Sequence, residues 1–227
     1  MNKPPPEEGT ELSLHRPTTV ILADDHAMVR ESLARVLDSC EAISVVGQAG
    51  DGRELVDLVR QLKPEVLVMD YSMPNHDPTE VIKRLLEEFK LLKILVLTVH
   101  ENSHYAVRTL ESGAHGYLIK SAAVDELMDA IDTIKDGNVY ISKKISPEVW
   151  TQLRRPKGKR DGLDALSQRE FDVLRLIGSG ATLQECAKQL GVSVSTVSTY
   201  RGRILEKLKL NSTSDLVRFA IESKMTG

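Results

Sequence analysis

The residues most able to do chemistry stand where short aliphatic runs end. Asp24 and Asp25 close VILADD, Asp70 closes VLVMD, Thr98 closes ILVLT and Lys120 closes GYLIK. Carboxylates brought together repel unless a cation offsets them, and a hard ion with oxygen ligands, Mg2+, suits such a set. An ionised carboxylate can then attack a phosphoryl group in line while a hydroxyl and an ammonium bind the transferred oxygens. Asp70, Thr98 and Lys120 are the residue types for those three tasks. Taken singly, each has a plainer reading: the Asp24–Asp25 pair could cap a helix starting at His26, and Asp70 could end a strand in a turn. Their shared placement carries the inference. His26, His100 and His104 lie near no cysteine or carboxylate cluster that needs them, and are read as solvent-facing.

The elements that must position these residues are legible as alternation. From Thr18 onward, five apolar runs (20–23, 43–46, 66–69, 94–97 and 117–119) alternate with amphipathic stretches near 27–38, 53–62, 79–90, 103–112 and 124–136. This predicts an α/β, doubly wound, five-stranded parallel sheet covered on both faces, with ligands bound beyond the carboxyl ends of its strands. All five positions should therefore converge on one cleft. The texture changes near Lys143: Pro147, Pro156, Gly158 and Gly162 occur among basic residues, with room for a short helix around Trp150. Four helical stretches follow near 168–178, 183–190, 194–208 and 213–223, without a comparable strand. The expected organisation is a polar, disordered tail over 1–17, the α/β domain over 18–140, a basic linker over 141–163 and a small all-α domain over 164–227.

Charge is partitioned along the same lines. Residues 1–142 carry 14 basic against 24 acidic residues, whereas 143–160 carry seven basic residues against Glu148 alone. The linker run Arg154, Arg155, Lys157, Lys159 and Arg160 is therefore a candidate phosphate-contacting arm. Cys40 and Cys186 lie in different halves, without metal-ligand spacing, which argues against a disulfide or zinc site. No apolar run is long enough for a membrane span, and the N-terminus, with Pro4 to Glu8, lacks the apolar core of a signal peptide; a cytoplasmic location is expected.

VILADDH, VLVMDYSMP, ILVLTVH and GAHGYLIK resemble the signature strands of receiver domains of two-component response regulators, over roughly residues 18–137. The resemblance implies a flavodoxin-like fold in which Asp70 accepts a phosphoryl group from a sensor histidine kinase. It also implies that Asp25, Asp70 and the Ser72 backbone carbonyl ligate Mg2+, with Asp24 helping through water, and that Thr98, Tyr117 and Lys120 form the switch. Pro78 stands where glycine is usual, Val99 where a smaller residue is common and Ser121 where proline is frequent. These departures bear on the loop conformation, on access to Asp70 and on the peptide bond after Lys120.

The stretch LSQREFDVLRLIGSGATLQECAKQLGVSVSTVSTYRGRILEKLKL reads as a helix-turn-helix in its own right. Ser167 with Glu170 forms a capping box, Thr182 caps the next helix, Gly191 supplies the turn and Ser193 starts a third helix. That helix would bury Val194, Val197, Ile204, Leu205 and Leu208. Its other side offers Ser195, Thr196, Ser198, Thr199, Arg201, Gly202, Arg203 and Lys207 to DNA. The pattern resembles the LuxR-type helix-turn-helix of the NarL/FixJ class, over about 164–224, and so implies a DNA-binding response regulator rather than an enzyme. Promoter DNA, a sensor histidine kinase, a second copy of the chain when phosphorylated and RNA polymerase are the partners to expect. In that class the unphosphorylated receiver can cover the recognition helix. Two other readings compete: a phosphotransferase of the haloacid dehalogenase type, which would want an aspartate where Ser72 stands, and a receiver whose output ignores phosphorylation.

Overall fold

The computed structural model describes residues 16–73, 77–121, 124–154, 162–223 and 225. The tail reading for 1–17 and most of the basic arm, Arg155 to Arg160, fall outside them, apart from Arg16, Pro17 and Arg154. Strands β1 (Thr18–Ala23), β2 (Ile43–Ala49), β3 (Val66–Asp70), β4 (Lys93–Thr98), β5 (Gly116–Ile119) and β6 (Tyr140–Ile141) form one sheet in the order β2-β1-β3-β4-β5-β6, every pair parallel. The helices between them are α1 (Ala27–Asp38), α2 (Gly52–Leu62), α3 (Pro78–Glu88), α4 (Ser103–Glu111) and α5 (Val124–Lys135).

The inner strands are mainly apolar because alternate residues feed two different layers. Val20, Leu22, Val66, Val68, Leu95 and Leu97 point toward α1 and α5, while Ile21, Leu67, Met69, Ile94 and Val96 pack with α2, α3 and α4. Close packing sets one residue type: a Cβ on Gly116 would lie 2.7 Å from Leu95 Cδ1, so β5 begins on glycine. Pro78 is accommodated at the first turn of α3, where its missing N–H costs nothing, and the Asp77 carboxylate caps that helix through Thr79 N and Glu80 N.

The sheet has six strands, not five. Tyr140–Ile141 is two residues long, too short for periodicity to reveal, and it pairs with Gly116 and Tyr117. Helix α6 (Ser146–Leu153) follows, within the segment read as linker. Ile145 and Val149 are buried, and Gln152 Nε2 donates to Ser103 Oγ on α4 at 2.8 Å.

A short 3-10 helix (Gly162–Ala165) leads into α7 (Gln168–Gly178), α8 (Leu183–Leu190), α9 (Val194–Leu208) and α10 (Thr213–Glu222). The capping boxes Ser167/Glu170 and Thr182/Glu185 both form, Ser193 caps α9, and Gly191 adopts a left-handed φ of 64° to turn between α8 and α9. Val197 and Ile204 are buried, but Val194 is 44% exposed because it lies in the first turn, before α9 reaches the core.

Candidate functional site

Strands β1, β3, β4 and β5 end together, and the residues that end or immediately follow them, Asp24, Asp70, Thr98 and Lys120, form a compact polar cluster. Lys120 Nζ donates to Asp24 Oδ2 at 2.6 Å and to Asp70 Oδ2 at 2.8 Å, joining the ends of β5, β1 and β3. Asp24, Asp70 and Thr98 are buried, whereas Asp25 is exposed. Burial works against the Lys120 charge, but the two carboxylates outweigh it and hold the ammonium above its ordinary pKa. Thr98 is placed by the β4–β5 register, opposite Ile119, and Lys120 N donates to its carbonyl at 2.6 Å. The peptide after Lys120 is trans, as are all the described peptide bonds.

The capping alternative for the aspartate pair does not describe what is found. The N-cap of α1 is His26, whose side chain makes no cap bond, and Asp24 Oδ1 instead accepts from His26 N at 2.8 Å. Arg30 donates to the Asp24 carbonyl. Ligand atoms of Asp24, Asp25, His26 and Asp70 lie within 4.8 Å of one another, a donor set dominated by carboxylate oxygens. His26, which follows the aspartate pair in sequence, stands beside the carboxylates with Nδ1 2.9 Å from Asp25 Oδ1 while its side chain stays largely exposed. Ser72 N donates to Asp70 Oδ1 at 3.2 Å, which keeps the residue after next in the loop close to that carboxylate.

His100 and His104 are not solvent-facing. Each is half-buried where the α/β domain meets the helical domain. His104 Nδ1 lies 3.0 Å from Asp164 Oδ1, and burial lowers the His100 pKa to about 4, with Arg175 adding to the effect, so its ring is neutral at pH 7. Tyr117 is wholly buried and donates to the His100 carbonyl at 2.9 Å.

The same meeting surface is made of side chains that sequence reasoning missed. Arg108 donates to the carbonyls of Leu163 and Leu166 at 2.7 and 2.8 Å and lies 4.4 Å over the Phe171 ring. Gln168 Nε2 donates to the Tyr71 hydroxyl at 2.7 Å and to Asp172 Oδ1 at 3.0 Å. Asn102 donates to the Ser223 carbonyl at 2.8 Å, at the end of α10. No periodicity marks these residues, because Arg108 and Gln168 lie on helices whose core faces were already accounted for, while Tyr71 and Asn102 lie outside regular elements.

Among the described residues, the receiver's hydrogen bonds and ring contacts fall on α7, on the 3-10 helix with Leu166 after it and on Ser223 just past α10, and the outer face of α9 stays open. Ser195, Thr199, Gly202, Arg203 and Lys207 are exposed, with Thr196, Ser198 and Arg201 half-buried. Covering of the recognition helix is therefore not what this arrangement shows. Lys207 is partly committed elsewhere: its Nζ lies 2.6 Å from Oε2 of the buried Glu170. Thr196 is similarly engaged, its hydroxyl 2.8 Å from Ser193 Oγ. Leu216 and Ala220 of α10 are buried in the described chain, while Val217 and Phe219 remain partly accessible.

Comparison with known proteins agrees with this division. Residues 20–132 match the family model described as the response regulator receiver domain, and residues 164–220 match that of the bacterial regulatory proteins, luxR family. The chain is 35% identical over 206 residues to the response regulator GacA of Pseudomonas aeruginosa, covering 91% of this chain and 96% of that one. It is 34% identical over 212 residues to the oxygen regulatory protein NreC of Staphylococcus carnosus, covering 91% and 98%. Among solved structures, RcsB from Salmonella enterica serovar Typhimurium, bound to promoter rprA in the presence of phosphomimetic BeF3-, superposes with a TM-score of 0.66 at 27% identity, covering 90% and 98%. Another RcsB structure, from Salmonella typhimurium, gives 0.71 at 28% identity, covering 91% and 98%. Acidic strand ends bridged by a lysine, an open recognition helix and relatives matched along nearly their whole length lead to one conclusion: the chain belongs to the NarL/FixJ-class response regulators, DNA-binding transcription regulators with a receiver and a LuxR-type helix-turn-helix.

Proposed function

We propose that Asp70 is the phosphoacceptor, and that its modification by a sensor histidine kinase controls binding of the helix-turn-helix to promoter DNA. The observation that carries this reading is the Lys120 ammonium held between Asp24 and Asp70, with the buried Thr98 ending the neighbouring strand. An Asp70 oxygen attacks the phosphorus as its bond to the donor nitrogen breaks. Lys120 then releases Asp24 and Asp70 to meet the transferred oxygens, and the Thr98 hydroxyl turns to the same group. A magnesium ion held by Asp25, Asp70 and the Ser72 carbonyl, with Asp24 acting through water, would supply positive charge to offset the carboxylates and the phosphoryl oxygens. The described donors fit that ion, being chiefly carboxylate oxygens gathered at one point.

On the output side, Thr196, Ser198, Thr199, Arg201, Gly202, Arg203 and Lys207 present the DNA-reading face, with Arg203 the least encumbered charge. Phosphorylation favours a dimer that reads paired half-sites, with RNA polymerase as a neighbour on the promoter. No helix among the described residues is long and apolar enough to cross a membrane, in keeping with a cytoplasmic regulator. The domain limits proposed are 18–140 and 164–227, with β6 and α6 extending the receiver into the intervening segment.

Intact mass after incubation with acetyl phosphate tests the assignment. A gain of one phosphoryl group that requires Mg2+ and vanishes in Asp70→Asn is expected. No gain in a folded sample that still binds DNA would instead support an output independent of phosphorylation.

A further inference from the structure

We infer that His100 is the positioning residue through which the receiver's switch reaches the DNA-binding domain. The inference rests on the reading of Thr98 and Tyr117 as switch residues. His100 is held from three sides, each belonging to the cleft around Asp70. Its backbone N–H donates to Thr98 Oγ1 at 3.0 Å, its carbonyl accepts from the Tyr117 hydroxyl at 2.9 Å, and its Nε2 lies 3.2 Å from Ser72 Oγ.

The ring faces the other way in function. It stacks on Tyr105 with centroids 4.4 Å apart and an interplanar angle of 10°, and it meets the edge of Tyr71 at 5.9 Å. Tyr105 in turn stands edge-on to Phe171 of α7 at 4.8 Å, and the Tyr71 hydroxyl accepts from Gln168 on the same helix. Two routes thus run from one imidazole to one face of α7. A Thr98 hydroxyl that turns to a phosphoryl group releases the His100 N–H, and a Tyr117 ring that moves releases the carbonyl. The plate under Tyr105 then shifts, and a close-packed stack cannot follow by degrees.

The docked arrangement is also poised to open. The Tyr105 hydroxyl is buried and has no hydrogen-bond partner among the described residues, a cost that undocking relieves. Closure is therefore held by ring contacts and a few hydrogen bonds rather than by a fully satisfied interface.

The test reads Phe171 by fluorine NMR in full-length protein carrying fluorophenylalanine. There are three phenylalanines, and Phe171→Leu assigns the signal. In the parent, beryllofluoride and Tyr117→Phe should each shift Phe171 toward its undocked position. His100→Ala keeps both backbone bonds and removes only the ring. It should raise the undocked-to-docked ratio roughly tenfold, the equivalent of about 1.4 kcal/mol, and abolish the response to both perturbations. His100→Phe, which restores a stacking ring, should recover the response. Unchanged responses in His100→Ala would overturn the inference, as would a parent that takes up the phosphoryl group without any change at Phe171. If the parent neither takes up a phosphoryl group nor answers beryllofluoride, the Asp70 reading fails, and Tyr117→Phe with and without His100→Ala still decides the role of His100.

Discussion

Replacing Asp172 by asparagine should stabilise the protein at alkaline pH and leave it nearly unchanged at acid pH. Asp172 lies on α7 and is only 7% exposed, with Gln168 Nε2 donating to it. Burial, reinforced by Asp77, raises its pKa from an ordinary 3.8 to about 7 against the opposing pull of Arg175, Arg169 and Gln168. A carboxyl whose folded-state pKa is raised contributes stability that is fully present below its unfolded pKa. That contribution is lost as pH rises through the folded one. Between about pH 4 and pH 7 the parent therefore loses stability with a slope approaching about 1.4 kcal/mol per pH unit, about 3 kcal/mol of it above pH 5, and the loss levels off above pH 7. The side-chain amide in Asp172→Asn keeps an acceptor for Gln168 and cannot ionise, so that loss disappears. Urea denaturation of parent and variant at pH 5 and pH 8 measures it. Because both proteins share His100 and every other titrating group, the difference between them isolates Asp172. The predicted gain at pH 8 exceeds that at pH 5 by about 3 kcal/mol, an upper value given relaxation of the site. A variant whose advantage is the same at both pH values would refute the argument.

Three further variants test the acidic cluster and the outer face of α9. Lys120→Met strands the buried Asp24 and Asp70 carboxylates without their ammonium and should cost about 3–5 kcal/mol in chelator, by analogy with other broken buried pairs. Thermal melting should then show a larger rise on adding Mg2+ for the variant than for the parent. Arg203→Ala should flatten the decline of log DNA affinity with log salt by about 0.9 without altering the melting temperature. Lys207→Ala should lower that temperature as well, because it leaves the buried Glu170 carboxylate without its cation and with only its capping-box bonds to Ser167; melting and salt titration of the two variants separate these effects.

The fold was legible wherever a residue's partner lay within its own element or followed from the parallel-sheet rule. Asp24, Asp70, Thr98 and Lys120 meet because strand ends in such a sheet share an edge, and the capping boxes at Ser167 and Thr182 are local by construction. The helices from Gln168 to Glu222 needed only apolar spacing and caps. Tyr140–Ile141 was not legible, since a two-residue strand exists only through its neighbour β5. His100 and His104 read as solvent-facing for a related reason. His104 meets Asp164 of the second domain and His100 is covered by the rings of Tyr71 and Tyr105, contacts that neither periodicity nor charge in the sequence announces. His26 was read correctly as solvent-facing, but its place beside Asp70 depends on where β1 delivers Asp24 and Asp25, a matter of tertiary geometry.

The open outer face of α9 bears on how the two halves of the molecule share free energy. Docking engages Phe171, Gln168, Leu163, Leu166 and Ser223, whereas DNA would engage Arg203, Thr199 and their neighbours. The two events draw on separate side chains. A ligand shifts a conformational equilibrium only by its differential affinity for the two states, and by linkage any such effect is reciprocal. Contacts made by a freely accessible α9 are equally available in either state and so contribute nothing to the coupling between phosphorylation and DNA. The coupling must reside in what the undocked domain gains beyond those contacts, a neighbour on the duplex or a changed fit of the receiver's bulk beside it. A single half-site should therefore barely distinguish the two states of the receiver, and discrimination should grow with the number of sites read at once.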